Sequence, residues 1–164
     1  MQATILVVDD TRSNMSVLME ILRDDYRVLA ATSGAQALKI ARGNQPPDVI
    51  LLDVMMPEMS GHEVCQRLKS ESSTRMIPVI FVTAMNQTED EAQGFALGAV
   101  DYITKPVSPP IVKARVKTHL ALYDQNRELE RLVRERTAEL RHTRLEIIKR
   151  LGRAGEFRDN ETGM

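Results

Sequence analysis

The residues best suited to chemistry are Asp9 and Asp10, Asp53, Thr83 and Lys105. Each ends or follows a short apolar run. Ile5-Leu6-Val7-Val8 precedes the aspartate pair, Val49-Ile50-Leu51-Leu52 precedes Asp53, Val79-Ile80-Phe81-Val82 precedes Thr83, and Val100 to Ile103 comes shortly before Lys105-Pro106. Runs this short that do not alternate in polarity read as strands covered on both faces of a parallel sheet. Such strands deliver their last residues to the carboxyl edge, where open α/β folds keep their ligands. Three carboxylates gathered there repel one another unless a cation is present. Oxygen donors with room for water suit Mg²⁺, which takes one or two carboxylates plus a phosphate oxygen. Lys105 adds a second positive charge, and Thr83 adds a neutral hydroxyl. These are the parts for phosphoryl transfer to a carboxylate, with Asp53 as the nucleophile.

The elements that must position these residues alternate strictly. After the first strand, Met15, Leu18, Met19 and Leu22 fall at helical spacing. Tyr26 to Ala30 reads as a second strand. A helix follows with Ser33 as N-cap, Ala37, Leu38 and Ala41 inward, and Gly43 as the stop. Pro46-Pro47 breaks the chain before the Asp53 strand. Ser60 caps a helix whose Val64, Cys65 and Leu68 make one apolar stripe. Thr88 and Glu91 have the spacing of a capping box, opening a helix with Ala92, Phe95 and Ala96 inward and Gly98 after it. Strands and helices in alternation predict a parallel sheet with helices on both faces.

The pieces Val7-Val8-Asp9-Asp10, Leu52-Asp53-Val54-Met55-Met56-Pro57 with Gly61, Phe81-Val82-Thr83-Ala84, and Gly98-Ala99-Val100-Asp101-Tyr102-Ile103-Thr104-Lys105-Pro106 stand in this order. Residues 1–122 thereby resemble the receiver domain of bacterial two-component response regulators. The resemblance implies a flavodoxin-like, doubly wound, five-stranded parallel sheet of order 2-1-3-4-5. It implies Asp53 as phosphoacceptor, with Asp9, Asp10, Asp53 and the Met55 backbone carbonyl holding Mg²⁺ or Mn²⁺. Thr83 and Lys105 would contact the phosphoryl oxygens, and the Lys105-Pro106 bond would be cis. On phosphorylation Thr83 would move to the new group, and Tyr102, the switch aromatic, would turn inward behind it. Met55 and Met85, beside the pocket, are both apolar, and are expected to shield the acyl phosphate from water. The implied partner is a sensor histidine kinase or phosphotransfer protein.

From Ser108 the texture changes. Ser108 caps a helix with Pro109 and Pro110 in its first turn, and no Gly or Pro interrupts until Gly152. A single helix to residue 151 would be about 65 Å long. Val112, Val116 and Leu120 can pack on the sheet. Farther along, Val133, Leu140 and Ile147 repeat every seven residues, with Leu129, Leu132 and Leu151 near the same side. The pattern predicts a parallel coiled coil, and so a homodimer, although Asn126, Thr137 and Arg144 interrupt the seam. The alternative is a solvated single helix held by Glu-Arg pairs.

Residues 145–163 resemble the opening of HD-GYP domains, which are cyclic di-GMP phosphodiesterases. The division expected is 1–122 receiver, 123–154 signalling helix, and 155–164 the start of a truncated output domain. No separate catalytic domain is expected in this chain. Glu161 matches a family position that can ligate metal, but its partners are missing here. The alternatives are a stand-alone receiver acting through its helix, or the receiver and linker of a hybrid kinase or diguanylate cyclase; Glu135 to Leu140 resembles linkers of those proteins.

Composition narrows the remaining classes. Net charge is -1, and residues 124–164 carry ten Lys or Arg against nine Asp or Glu, so a nucleic-acid arm is not expected. A single Cys65 excludes an internal disulfide and fits a reducing compartment. No run approaches a membrane span, so a cytoplasmic location is expected. His62, His119 and His142 are too scattered for a metal site.

Overall fold

In a computed structural model, the structure describes residues 2–84 and 88–162, with side chains described at 2–84 and 91–153. Five strands alternate with five helices: β1 Thr4–Val8, α1 Arg12–Leu22, β2 Arg27–Ala31, α2 Gly34–Ala41, β3 Val49–Asp53, α3 Gly61–Ser70, β4 Val79–Thr83, α4 Thr88–Ala96, β5 Asp101–Thr104 and α5 Pro109–Thr162. All strand pairs are parallel, in the order β2-β1-β3-β4-β5. The parallel sheet is the one the apolar runs predict, and its order is the one the receiver resemblance implies. β2 and β5 each begin one residue later than the apolar run suggests.

Alternate residues of each strand feed two cores. Leu6, Val8, Ile50, Leu52, Phe81 and Tyr102 face the side of α2, α3 and α4, while Ile5, Val7, Val49, Leu51, Ile80 and Ile103 face α1 and the first turns of α5. β3 and β4 are buried along their whole length, as strands covered on both faces must be. Each fully buried aliphatic side chain contributes about 1.5–3 kcal/mol. Ser33 and Ser60 cap α2 and α3, accepting from the Gln36 and Glu63 amides. The stripes Ala37/Leu38/Ala41 and Val64/Cys65/Leu68 face inward.

Two expectations need correction. Ala92, Phe95 and Ala96 do not face inward: all three are exposed, Phe95 at 48%, and Gly94 is the buried position of α4. The reason is steric. The helix lies so close to the Phe81 and Tyr102 rings that only a residue without a side chain fits at the contact. The last helix also passes the expected stop near residue 151 and continues to Thr162. Nothing lies within 4 Å of where a Gly152 side chain would be, and a glycine costs a long helix only about 1 kcal/mol. The side chains of Thr88 and Glu161, and all of Met85, lie outside the described residues.

The chain divides into two compact units, Met1–Tyr123 and Asp124–Met164. In the first, Val112, Val116 and Leu120 of α5 are buried. In the second, Leu129, Val133, Leu140, Ile147 and Leu151 are all exposed. Arg131 there pairs with Glu128 and Glu135 on one helix face. Among the described residues, no helix is long and apolar enough to cross a membrane.

Candidate functional site

The strand order explains the meeting of residues far apart in sequence. β3 lies between β1 and β4, so Asp53 at its end is flanked by Asp9 and Asp10 on one side and Thr83 on the other. Lys105 follows β5, beyond β4, and its long side chain reaches back across the Thr83 strand. Its ammonium stands 2.9 Å from Asp9 Oδ2 and 3.6 Å from Asp53 Oδ2. The Lys105 amide also donates to the Thr83 carbonyl at 2.9 Å, which fixes where the side chain starts. The Lys105-Pro106 peptide is cis.

Both oxygens of Asp9 are engaged. Oδ1 accepts the Thr11 amide at 2.8 Å at the entry to α1, and Oδ2 accepts from Lys105. Asp9 and Asp53 are buried, whereas Asp10 is exposed. The three carboxylates can each offer an oxygen within 4.8 Å of the others. Three carboxylates against one ammonium leave a surplus of negative charge. A hard divalent cation fits that donor set, since it prefers oxygen and keeps waters of its own.

The Asp53 carboxyl titrates above its ordinary value. Burial is the main cause, opposed by the Lys105 charge; Asp9 adds to the rise, the Met55 amide opposes it, and Asp10 adds a little more. The Met55 amide approaches Asp53 Oδ1 at a long 3.4 Å, and its side chain is 65% exposed at the mouth of the site. Thr83 is buried beside the cluster.

The loop after β3 is pinned at Gly61, whose amide donates to the Val54 carbonyl at 2.9 Å. A side chain there would put its Cβ 2.1 Å from the Asp53 carbonyl oxygen. Glycine is what lets α3 begin this close to the acidic strand end.

Tyr102 is 7% exposed and sits inward, its ring 5.4 Å from that of Phe81 and 5.3 Å from that of Phe95. Asp101, beside it, has partners that motif reading passed over: Arg115 Nη1 at 2.7 Å and His119 Nε2 at 2.9 Å. Arg115 and His119 are one helical turn apart, the spacing that puts two side chains on one helix face. Burial pushes the Asp101 carboxyl up, but hydrogen bonds from His119, the Tyr102 amide and Arg115, with the Arg115 charge, outweigh it and hold it below its ordinary range. The other histidines lie elsewhere. His62 packs edge-on against Phe81, and His142 is 3.3 Å from Glu146.

Residues 5–117 match the family model of the response regulator receiver domain. The chain belongs to that family. A Vibrio cholerae protein named "Probable cyclic di-GMP phosphodiesterase" is 46% identical over 99% of the chain, which spans 38% of that protein. The response regulator PleD of Caulobacter vibrioides is 44% identical over 72% of the chain and 26% of its own length. Among solved structures, the BeF3-activated DrrB receiver domain, from Thermotoga maritima, superposes with a TM-score of 0.66 at 36% identity, covering 74% of this chain and 99% of that one. A chemotaxis protein of Vibrio cholerae gives 0.68 at 30% identity, covering 72% and 98%. As a receiver of a response regulator, the chain has its acidic cluster where the family binds Mg²⁺.

Proposed function

We propose that this receiver is phosphorylated on Asp53 by a sensor histidine kinase or phosphotransfer protein. The observation that carries the reading is the Asp53 carboxylate at the sheet edge, flanked by two further aspartates and faced by the Lys105 ammonium at 3.6 Å. An Asp53 carboxylate oxygen attacks the phosphorus of a phosphohistidine. The P–N bond breaks, and its electron pair returns to the imidazole. Lys105 neutralises charge on the transferred oxygens, and the Thr83 hydroxyl donates to one of them. Asp9, Asp10, Asp53 and the Met55 carbonyl would hold Mg²⁺ or Mn²⁺, which would supply charge neutralisation to phosphoryl oxygen. Met55 covers the mouth of the site and slows hydrolysis of the acyl phosphate.

The phosphoryl group adds nearly two negative charges beside Thr83. Thr83 and Tyr102 relay the change to α5. The exposed Leu129, Val133, Leu140, Ile147 and Leu151 stripe pairs with that of a second copy as a coiled coil, whose register carries the state onward. The output it controls is a cyclic di-GMP phosphodiesterase of the HD-GYP type. This is supported by the match to the Vibrio cholerae relative, which runs through the long helix where the PleD match covers 72% of the chain.

The test is acetyl phosphate with Mg²⁺, or beryllofluoride in its place, followed by mass spectrometry and NMR. Asp53 takes the label in the wild type and Asp53→Asn takes none. Labelling that persists in the Asn variant overturns the assignment.

A further inference from the structure

We propose that Gly94 is a positioning residue: the absence of a side chain there admits the Tyr102 ring to its inward site beneath α4. The inference rests on the reading of Tyr102 as the switch aromatic. Gly94 is buried in the last turn of α4, where it is still helical and alanine would be the better helix former. What it faces explains its presence. A Cβ built on Gly94 would stand 2.0 Å from the Tyr102 hydroxyl oxygen, 2.8 Å from Cζ of the same ring and 3.0 Å from Phe81 Cε2.

The phenol end of Tyr102 thus occupies the volume that any side chain at 94 would need. Phe81 supports the ring from the sheet, and Phe95 covers it from the adjacent position of α4. The site for the inward ring is thus shaped by the glycine. A methyl group at 94 makes ring and helix compete for one space: either Tyr102 leaves, or α4 lifts from β5.

Two measurements on the full chain, both without phosphodonor, test this. The first is tetranitromethane nitration read peptide by peptide, with the half-buried Tyr26 and Tyr123 as internal standards. In wild type Tyr102 reacts more slowly than either, and Gly94→Ala raises its relative rate several-fold. The second is a thermal double-mutant cycle. Gly94→Ala lowers Tm when Tyr102 is present, and the loss is smaller in a Tyr102→Ala background, where Phe81 Cε2 at 3.0 Å is the close contact that remains. Unchanged nitration of Tyr102 overturns the proposal, as does a loss of Tm that is equal in both backgrounds. If Gly94→Ala alone does not fold, recovery of a folded protein on adding Tyr102→Ala supports it, and failure to recover overturns it. Neither readout depends on whether Asp53 accepts a phosphoryl group.

Discussion

Lys105 donates to Asp9 Oδ2 at 2.9 Å, joining groups 96 residues apart in sequence. Asp53 lies on the same side of that ammonium but farther off, at 3.6 Å. Lys105 is thus held more closely by Asp9 than by Asp53. The pairing also makes Lys105 a structural cation for two buried carboxylates.

Removing one partner of a buried ion pair costs about 3–5 kcal/mol when burial is complete. Lys105 keeps 18% of its side chain exposed, so Lys105→Met should destabilise by about 2 kcal/mol. Thermal unfolding by circular dichroism at pH 7 should show the loss. Millimolar Mg²⁺ should restore part of it, because a bound cation replaces the missing charge. A variant as stable as wild type in the absence of Mg²⁺ would show that the pair is immaterial.

Asp53→Asn should act in the opposite direction. The folded carboxyl has a raised pKa, so its charged form is penalised by folding. That penalty is present in full above the folded pKa and absent below the unfolded value of about 4. The Asn variant should therefore melt higher at pH 7, with the advantage shrinking to nothing as the pH falls toward 4. An advantage that grows on acidification would refute the sign.

Gly61→Ala should cost at least about 2 kcal/mol, because its Cβ meets backbone rather than a yielding side chain. A urea titration would measure this. Labelling of Asp53 by acetyl phosphate should slow in parallel, since the displaced backbone is that of Asp53 itself.

Asp101 carries the reverse pH signature. Its folded pKa lies below the ordinary range, so its stabilisation is complete above the unfolded value of about 4 and is lost as the pH falls through the folded one. The difference in Tm between wild type and Asp101→Asn should be steady from neutral pH down to about 5 and then close. The hydrogen bonds to Arg115 and His119 should contribute about 1–2 kcal/mol in total, since both are partly solvated.

Leu140→Arg tests helix pairing. Leu140 is 69% exposed and sits mid-stripe, so a charge there should abolish self-association in sedimentation equilibrium while leaving Asp53 labelling intact. A wild type that is monomeric at every concentration, with and without phosphodonor, would remove the coiled coil from the reading.

The sheet and the acidic cluster were legible in the residues because both rest on strong local signals: unalternating aliphatic runs ending in charge. Ser33 and Ser60 were legible as caps for the same reason. The inward face of α4 was not. Ala92, Phe95 and Ala96 carry the apolar character, but the close approach to Tyr102 selects the one position with no side chain. The Asp101, Arg115 and His119 cluster escaped too, since no local pattern pairs a strand residue with a helix beginning several residues later. Gly152 misled because glycine ends a helix only where another interaction favours the turn, and nothing surrounds it.

The strand order has a consequence for biosynthesis. β1, β2 and β3 are neighbours in the sheet and end at Asp53, so all three carboxylates lie within the first 53 residues, whereas Thr83 and Lys105 come later. Synthesised in chain order, the acidic cluster is made before the lysine that faces it.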